Sequence, residues 1–337
     1  MNDSTRHQFV ALDLLRGLAA LMVLLVHARG DAFVEFGALP PDQRTYLIGI
    51  LFGFTRLGQE AVLAFFVLSG FLVGGQLIDK SRRGTFDVRI YAIDRMTRIL
   101  MPLIPACILT AIVDYFLYAT PPHTIQLIAN MVGLNGLVAP TLPHDIPLWS
   151  LAYEIWFYVA AGAAAYLFAR RVSLSALLTF AFALAALSVL GASYLLCWML
   201  GAATFLMLGA KRSGPTFTGG LAVFAFGALL LELGAESKSF TNFILLPDAA
   251  TRIMVCLGIS MLFPFLCTKR AAAAIEPIRR PAQGLAAFSY SLYLTHYPVL
   301  EMLEGIFSKA DALSVRSVSI FGLKIAICLG AAWLFYL

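Results

Sequence analysis

The first apolar segment of the chain carries an arginine and a histidine on one helix face. Arg16 and His27 are eleven residues apart, which is three helical turns, so their side chains lie on the same side, roughly 16 Å apart along the axis. Asp13 stands about one turn below Arg16. Charged and polar groups in hydrocarbon normally face a bundle interior or a water-filled cavity. The spacing therefore predicts an internal polar cavity. Anchoring at the two membrane surfaces would explain each residue singly but not the shared face.

Two further apolar segments carry groups that suit a ligand. Ser69 and Gly70 are small enough for close approach by a second helix or by an extended ligand, and helix packing alone is the favoured interpretation. Arg95 and Arg98 are spaced to share a helix face, where guanidinium groups bind phosphate well. Anchoring to lipid phosphates would explain this pair equally well.

Polar groups also occur near both ends of other predicted spans. Trp149 and Ser150 open the fourth apolar segment, and Glu154 lies inside it, where a carboxylate needs a partner. Tyr293 and His296 lie in the segment near the end of the chain, and a structural role is the leading interpretation of His296. The spacing of His, Cys and carboxylate residues resembles no metal site, so we expect no metal.

Composition identifies the class of protein. The 337 residues are 60% hydrophobic and 13% charged, and the mean hydropathy of +0.84 is typical of a polytopic membrane protein. We predict an all-α fold of about ten transmembrane helices in a single domain, 1–337. The predicted spans are 9–28, 60–79, 98–118, 148–169, 174–190, 193–210, 218–234, 249–268, 284–303 and 317–337. The fifth and sixth are separated only by Gly191-Ala192-Ser193, so they form either a tight outer hairpin or one broken helix.

The basic residues cluster at the ends of these spans, which argues for membrane orientation and against nucleic-acid binding. With the N-terminus in the cytoplasm, fifteen of the 24 lysines and arginines fall inside and seven outside, and two lie within spans. This asymmetry predicts a cytoplasmic N-terminus. The five cysteines all fall in apolar segments and are expected to be buried thiols.

Five of these stretches together resemble acyltransferase family 3, the integral-membrane acyltransferases that modify bacterial surface and secreted glycans. Each is weak alone, but they occur in the family's order over nearly the whole chain. They are the Arg16 and His27 spacing, the segment from Phe65 to Phe71, the segment from Arg95 to Pro102, Trp149-Ser150-Leu151 with Glu154, and the segment from Ser289 to His296.

The resemblance implies ten transmembrane helices in the bacterial inner membrane and a carbohydrate hydroxyl as the usual acyl acceptor. It implies cytoplasmic acyl-CoA, commonly acetyl-CoA, as a co-substrate, with no permanently bound cofactor. Arg16 and His27 would be essential, and Arg95 and Arg98 would bind acyl-CoA. We assign Ser69 and Gly70 to the same donor site, with Trp149, Ser150, Tyr293 and His296 in supporting roles. Asp94 departs from the family, whose members often carry a basic residue there, and the chain resembles the stand-alone form.

The chemistry of these residues fits acyl transfer. A sugar hydroxyl is a poor nucleophile, and a neutral imidazole at His27 can remove its proton as it attacks the thioester. Glu154 is the candidate carboxylate that orients His27, and Arg16 would stabilise the donor. An acyl-histidine intermediate is the alternative mechanism.

A second class of function is also compatible with charged groups inside a membrane. A transporter of a polar or acylated solute would need such a pathway without any bond chemistry. Transporters are often built from inverted repeats, and the sequence has none that we can find. The partners expected in either case are the lipid bilayer and a small solute or glycan. The acceptor, the acyl group and the oligomeric state stay open.

Overall fold

The computed structural model describes residues 10–120, 122–169, 172–209, 216–236 and 248–337, and within them the chain is helical, with two isolated β-bridges and no strands. The α-helices, numbered in chain order, are α1 Val10–Ala32, α2 Tyr46–Phe54, α3 Gly58–Ser69, α4 Gly75–Arg82, α5 Val88–Tyr118, α6 Thr124–Met131, α7 Trp149–Phe168, α8 Leu174–Gly209, α9 Phe217–Glu236, α10 Asp248–Leu266, α11 Lys269–Ile275, α12 Arg279–Glu304 and α13 Val315–Tyr336.

Seven of the helical segments in the described residues are long and apolar enough to cross a membrane. This confirms the all-α, polytopic class of the protein. In this count α8 is a single span, although it has 36 residues. Neither α12 nor the shorter apolar helix within α9 is among the seven. The expectation of about ten crossings stays a prediction.

The chain reverses direction within α8. Gly191 has a φ of 138° and a ψ of 102° in the middle of this helix, a backbone conformation that residues with a side chain rarely adopt. Before it, Phe182 packs on Trp156 of α7; after it, Trp198 packs on Phe157, the next residue of α7. Two residues so far apart in a straight helix cannot contact neighbouring positions, so α8 is a tight hairpin of two antiparallel halves.

A wide helical turn joins α3 to α4. Residues Gly70–Gly74 form a π-helix between them, and such turns occur frequently at functional sites. A Cβ atom at Gly70 would overlap the backbone carbonyl of Trp198. Gly70 therefore lets α8 approach closely, as expected of a helix-packing glycine. A contact between Gly70 and acyl-CoA stays a prediction.

The chain divides into two compact units, described here one at a time. Unit 1 consists of Met1–Asp13, Val62–Met101 and Ser150–Arg279. Its helices α9 and α10 pack against each other along their lengths, and α8 packs against α10 and the Gly70–Gly74 turn. Aromatic side chains fill its interior, where the Phe71 ring contacts the rings of Phe205 and Phe263 edge-on.

Unit 2 consists of Leu14–Ala61, Pro102–Trp149 and Arg280–Leu337. Phe33, Leu39 and Phe52 form one of its buried clusters. Lys324 of α13 is fully buried, and its Nζ atom donates to Asp31 Oδ2 of α1 at 2.5 Å and to the Phe307 carbonyl at 3.2 Å. A buried ammonium needs such partners, so this ion pair joins the first and last helices of the described chain.

Candidate active site

Unit 2 brings two histidines from opposite ends of the chain together. The rings of His27 in α1 and His296 in α12 are 5.3 Å apart between centroids, tilted by 41°. The Tyr297 ring meets His27 edge-on at 5.1 Å. His27 is half-buried and His296 is 1% exposed. An imidazole pair of this kind is suited to proton transfer.

The tautomer of His296 follows from its hydrogen bonds. Its Nδ1 atom lies 2.8 Å from the carbonyl of Tyr293 and 3.1 Å from that of Leu292. Carbonyl oxygens only accept, so Nδ1 carries the proton and donates, and Nε2 of the neutral ring bears a lone pair. Nε2 is buried and has no hydrogen-bond partner among the residues that the structure describes. Its lone pair is therefore available to a donor group.

Three other predicted residues, Tyr293, Arg16 and Trp149, belong to unit 2. Tyr293 is buried and its hydroxyl donates to the Pro147 carbonyl at 2.8 Å, which ties α12 to the start of α7. Arg16 is half-buried in α1, three turns before His27, and Trp149 is half-buried at the first position of α7. Tyr293 therefore has a visible structural role, and functional roles for Arg16 and Trp149 stay predictions.

Unit 1 contains a directed chain of hydrogen bonds that ends on Glu154. The Trp198 indole donates to Ser69 Oγ at 3.2 Å, Ser69 donates to the Tyr158 hydroxyl at 3.3 Å, and Tyr158 donates to Glu154 Oε1 at 2.6 Å. Each group donates in the same direction, and such chains polarise one another. The predicted residues Ser69 and Glu154 thus belong to one polar network.

One arginine of the predicted pair is buried and the other is exposed. Arg95 is 9% exposed, its guanidinium lies 5.8 Å from the centroid of the Tyr158 ring, and it pairs with Asp94 at 2.7 Å. Arg98 is exposed. The residue that departs from the family pattern, Asp94, therefore contacts the first arginine of the pair directly. Binding of acyl-CoA by Arg95 and Arg98 stays a prediction.

A cavity of about 360 Å³ lies in unit 1 between α4, α7 and the second half of α8. Its walls are mainly apolar, with Ser81 and Arg82 at the C-terminal end of α4 and Trp198 on α8 among the lining residues. Cavities of this size and character bind small molecules or parts of them.

Unit 2 also contains a polar cluster that involves none of the predicted site residues. His144 Nδ1 lies 2.5 Å from Asp114 Oδ1, and the Tyr118 ring stacks on the His144 ring at 3.8 Å. Asp145 is fully buried, with Oδ2 2.9 Å from Thr110 Oγ1. Burial raises the pKa of the Asp145 carboxyl well above its usual range, against a smaller lowering by the Thr110 hydrogen bond.

The structure therefore places the predicted residues in two sets. Unit 2 holds Arg16, His27, Trp149, Tyr293 and His296, and unit 1 holds Ser69, Gly70, Arg95, Arg98, the buried Ser150 and Glu154. Because Glu154 and His27 belong to different units, the orientation of His27 by Glu154 stays a prediction.

The sequence analysis did not single out Tyr158, Trp198 or Tyr297. Tyr158 had a signal, since it is four residues after Glu154 and so shares its helix face. Tyr297 follows His296 directly. Trp198 had none, because its partner Ser69 is 129 residues away in the chain.

Comparison with known proteins places this geometry in a family. Within the described residues, no group of three or more His, Cys, Asp or Glu side chains is arranged to hold a metal ion. Neither the curated proteins nor the solved structures contain a significant match. The family model of the acyltransferase domain, acyltransferase family 3, matches residues 9–337 and so spans both units. With nearly its whole length matched, the chain belongs to acyltransferase family 3.

Proposed function

We propose that this chain is a membrane-embedded O-acyltransferase that moves an acyl group, acetyl in the first instance, from cytoplasmic acyl-CoA to a hydroxyl group of a carbohydrate. The chain belongs to an acyltransferase family and has several helices able to span a membrane. The observation that most supports the reaction is the half-buried His27 imidazole beside His296, whose Nε2 is buried and has no hydrogen-bond partner among the described residues. We place the enzyme in the bacterial inner membrane.

In the proposed reaction, His27 acts as the general base. It removes the hydroxyl proton while the hydroxyl oxygen attacks the thioester carbonyl carbon. The carbon–sulfur bond then breaks, and the imidazolium returns the proton to the departing CoA thiolate, so no proton is gained or lost overall. General base catalysis of this kind typically contributes about 10²–10⁴-fold.

Three other residues have proposed roles around this step. His296 Nε2 accepts a hydrogen bond from the acceptor sugar or from the protonated His27, which positions the reacting groups. Arg16 stabilises negative charge on the donor. Glu154, whose Oε1 accepts from the Tyr158 hydroxyl at 2.6 Å, is the proposed group that orients His27 and stabilises its imidazolium.

For the donor, we propose that Arg95 and Arg98 act on the CoA phosphates. Arg98 is exposed and so available to an anion, while Arg95 is held between Asp94 and Tyr158. Arg98 would therefore make the direct phosphate contact, and Arg95 would fix the helix surface on which Arg98 stands.

The test uses purified protein in lipid nanodiscs, radiolabelled acetyl-CoA and glycan extracted from the host membrane. We expect His27→Ala to abolish transfer of label, with membrane insertion and thermal stability nearly unchanged, because the half-buried ring is replaced by a smaller apolar group. His123→Ala, at an exposed histidine, is the matched control and should keep full activity.

Full activity of His27→Ala at normal expression would refute the assignment of the base. Label trapped on the protein before acceptor is added would instead indicate an acyl-histidine intermediate. Uptake of unaltered solute into vesicles, without transfer of label, would support the transporter.

A further inference from the structure

Arg29 is a buried arginine whose hydrogen-bonding groups are not all satisfied. It lies in the last turn of α1 and is 7% exposed. The Nε and Nη1 atoms of its guanidinium are buried and have no hydrogen-bond partner among the residues that the structure describes. A guanidinium keeps its charge in proteins and carries five N–H donors. Because unsatisfied buried donors are costly, we expect an oxygen acceptor with negative charge to bind there.

Glu35 forms a long ion pair with this arginine. Its Oε2 atom lies 3.5 Å from Arg29 Nη1, whereas charge-assisted N–H···O hydrogen bonds are about 2.7–2.9 Å long. The Glu35 side chain is 64% exposed, and exposed ion pairs contribute little to stability. A buried positive group and an exposed negative group thus lie side by side, and the contact between them satisfies neither fully.

Helix α2 packs over the same guanidinium. The centroid of its Phe52 ring is 5.1 Å from Arg29 Cζ, and Phe52 belongs to the buried cluster with Phe33 and Leu39. The aromatic ring attracts the positive charge, but it supplies no oxygen acceptor for the N–H donors. Phe52 therefore fixes α2 beside Arg29 without satisfying the arginine.

The opposite face of α2 is apolar and exposed. Tyr46, Leu47, Ile50, Leu51 and Phe54 are between 52% and 96% exposed, and their spacing puts them on one side of the helix. The helix has nine residues, whereas a crossing of the bilayer needs about 20. A short helix with one exposed apolar face is typical of the membrane interface, where that face contacts acyl chains.

We propose that Arg29, Glu35 and α2 form a binding site for one membrane phospholipid with an ammonium head group, in the leaflet that the predicted orientation makes the outer one. The phosphate accepts hydrogen bonds from the Arg29 guanidinium, the ammonium donates to the Glu35 carboxylate, and the acyl chains cover the apolar face of α2. The inference concerns neither the acyl donor nor the acceptor, and so it goes beyond the proposed function.

The charges and the apolar face together select this occupant. A free phosphate ion would bond Arg29 but would leave the apolar face of α2 uncovered. A lipid with a net negative head group would leave the Glu35 carboxylate beside a second anion, because Arg29 and Glu35 together carry no net charge. A head group with one negative and one positive group complements both residues, and its acyl chains complement the helix.

The first test measures which lipids stay bound to the full-length protein. The protein is transferred to detergent from nanodiscs made of equal parts phosphatidylethanolamine and phosphatidylcholine, and the retained lipids are counted by native mass spectrometry. The two lipids share the phosphate, but the trimethylammonium of choline has no N–H donor. We expect the parent protein to retain about five times more phosphatidylethanolamine than phosphatidylcholine.

Two variants separate the roles of the charged residues. Arg29→Gln should lower the retention of both lipids several-fold, because the phosphate loses its partner. Glu35→Gln should keep the total retention and remove most of the preference for phosphatidylethanolamine. The matched controls Arg316→Gln and Asp42→Asn, at exposed positions, should behave as the parent protein. Equal retention of the two lipids by the parent protein, or unchanged retention in Arg29→Gln, would overturn the site.

The second test leaves Arg29 intact and so holds even where Arg29→Gln fails to fold. In a background without the half-buried Cys267, a fluorophore on Leu47→Cys should be quenched several-fold more by spin-labelled phosphatidylethanolamine than by spin-labelled phosphatidylcholine. The same fluorophore on Val318→Cys, at a 51% exposed position of α13, should be quenched equally by both. Equal quenching on Leu47→Cys would also overturn the site. Neither test measures acyl transfer, so a negative result would leave the proposed function unaffected.

Discussion

The ring of His296 is oriented by its own helix. Its Nδ1–H donates to carbonyls three and four positions earlier in α12, so no other part of the protein is needed to choose the tautomer. A ring held in this way always presents the lone pair of Nε2 away from its own backbone. The residue that the sequence analysis regarded as structural is thereby also equipped for chemistry.

We predict that His296→Gln lowers kcat about 100-fold, because the hydrogen bond to Nε2 that positions the reacting groups in the proposal is lost. Glutamine retains an N–H donor but lacks the ring nitrogen that accepts this bond. The KM for acyl-CoA and the unfolding temperature should change little, since the donor site lies elsewhere in the proposal. Steady-state kinetics and thermal unfolding check this, with His123→Gln as the exposed control. An equal fall in stability and activity would mean that His296 is structural only.

Asp145 is a carboxyl whose protonated form is favoured by full burial. Thr110 Oγ1 lies 2.9 Å from Asp145 Oδ2 and 3.2 Å from the Ala106 carbonyl. The Thr110 hydroxyl donates to the Asp145 carboxyl, and this hydrogen bond favours the charged form. Burial outweighs it and raises the pKa of Asp145 well above its usual range.

The pH dependence of stability follows from that shift. Because the pKa is higher in the folded protein, the unfolded chain holds fewer protons between the two pKa values, and stability falls as pH rises, by up to about 1.4 kcal/mol per pH unit. Asp145→Asn, which mimics the protonated acid, should remove this slope. Unfolding temperatures measured from just above the usual pKa of an aspartate to alkaline pH give this slope, with exposed Asp42→Asn as control. Parallel curves for the parent protein and Asp145→Asn would exclude the protonated form.

Among the helices of unit 2, α1 and α13 are joined by charge as well as by packing. Lys324 is fully buried and Asp31 nearly so. Removing one partner of such a pair leaves an uncompensated charge, whereas removing both often costs little. The pair therefore fixes how the two helices align more than it adds net stability.

We predict that Lys324→Met destabilises the protein by about 3–5 kcal/mol. Adding Asp31→Asn should recover more than half of that loss, because no lone charge is left buried. Arg83→Gln breaks the exposed pair with Asp79 and should cost less than about 1 kcal/mol. Unfolding in one detergent at one pH compares all three variants. Additive losses in the double variant would show that the two charges do not interact.

We expect most of the basic residues that flank the membrane spans to lie on one side of the membrane. The reversal at Gly191 puts both ends of α8 on the same side, next to Arg170 and Arg171 before it and Lys211 and Arg212 after it in the sequence. The positive-inside rule predicts that this side is cytoplasmic and that the Gly191 turn faces outward.

This topology predicts the labelling of single cysteines in intact cells. In a background without the half-buried Cys267, Ala192→Cys should react with an impermeant maleimide, and Ser173→Cys should react only after the cells are opened. Both variants should label equally in detergent, which serves as the control. The reverse pattern would show that the protein has the opposite orientation in the membrane.

The sequence predicted the class and most of the helices because apolar length is a local property. The predicted span 284–303 lies within α12, and α1 and α7 match their predictions closely. The sequence did not decide between a broken helix and a hairpin at Gly191, because a glycine permits either one. Only the contacts of Trp156 and Phe157 in the structure decide between them.

The candidate site was predicted less completely because its contacts are distant in the chain. His27 and His296 were each identified, but nothing in the sequence indicates that residues 27 and 296 contact each other. Likewise, Lys324 was recognised only as a charge within a span, without its partner Asp31. Glu154 was expected to need a partner, and the structure supplies the Tyr158 hydroxyl, one turn further along the same helix.

The loop-free reversal at Gly191 also constrains how the protein is made. Because no linker separates the two halves of α8, we expect both halves to insert into the bilayer together. In the predicted orientation, the 36 residues of α8 would leave the translocon as one folded-back pair, with the basic residues that flank it in the sequence kept in the cytoplasm. Biogenesis of this region is thus a single insertion event, and a tag or charge placed at the turn would obstruct both crossings together.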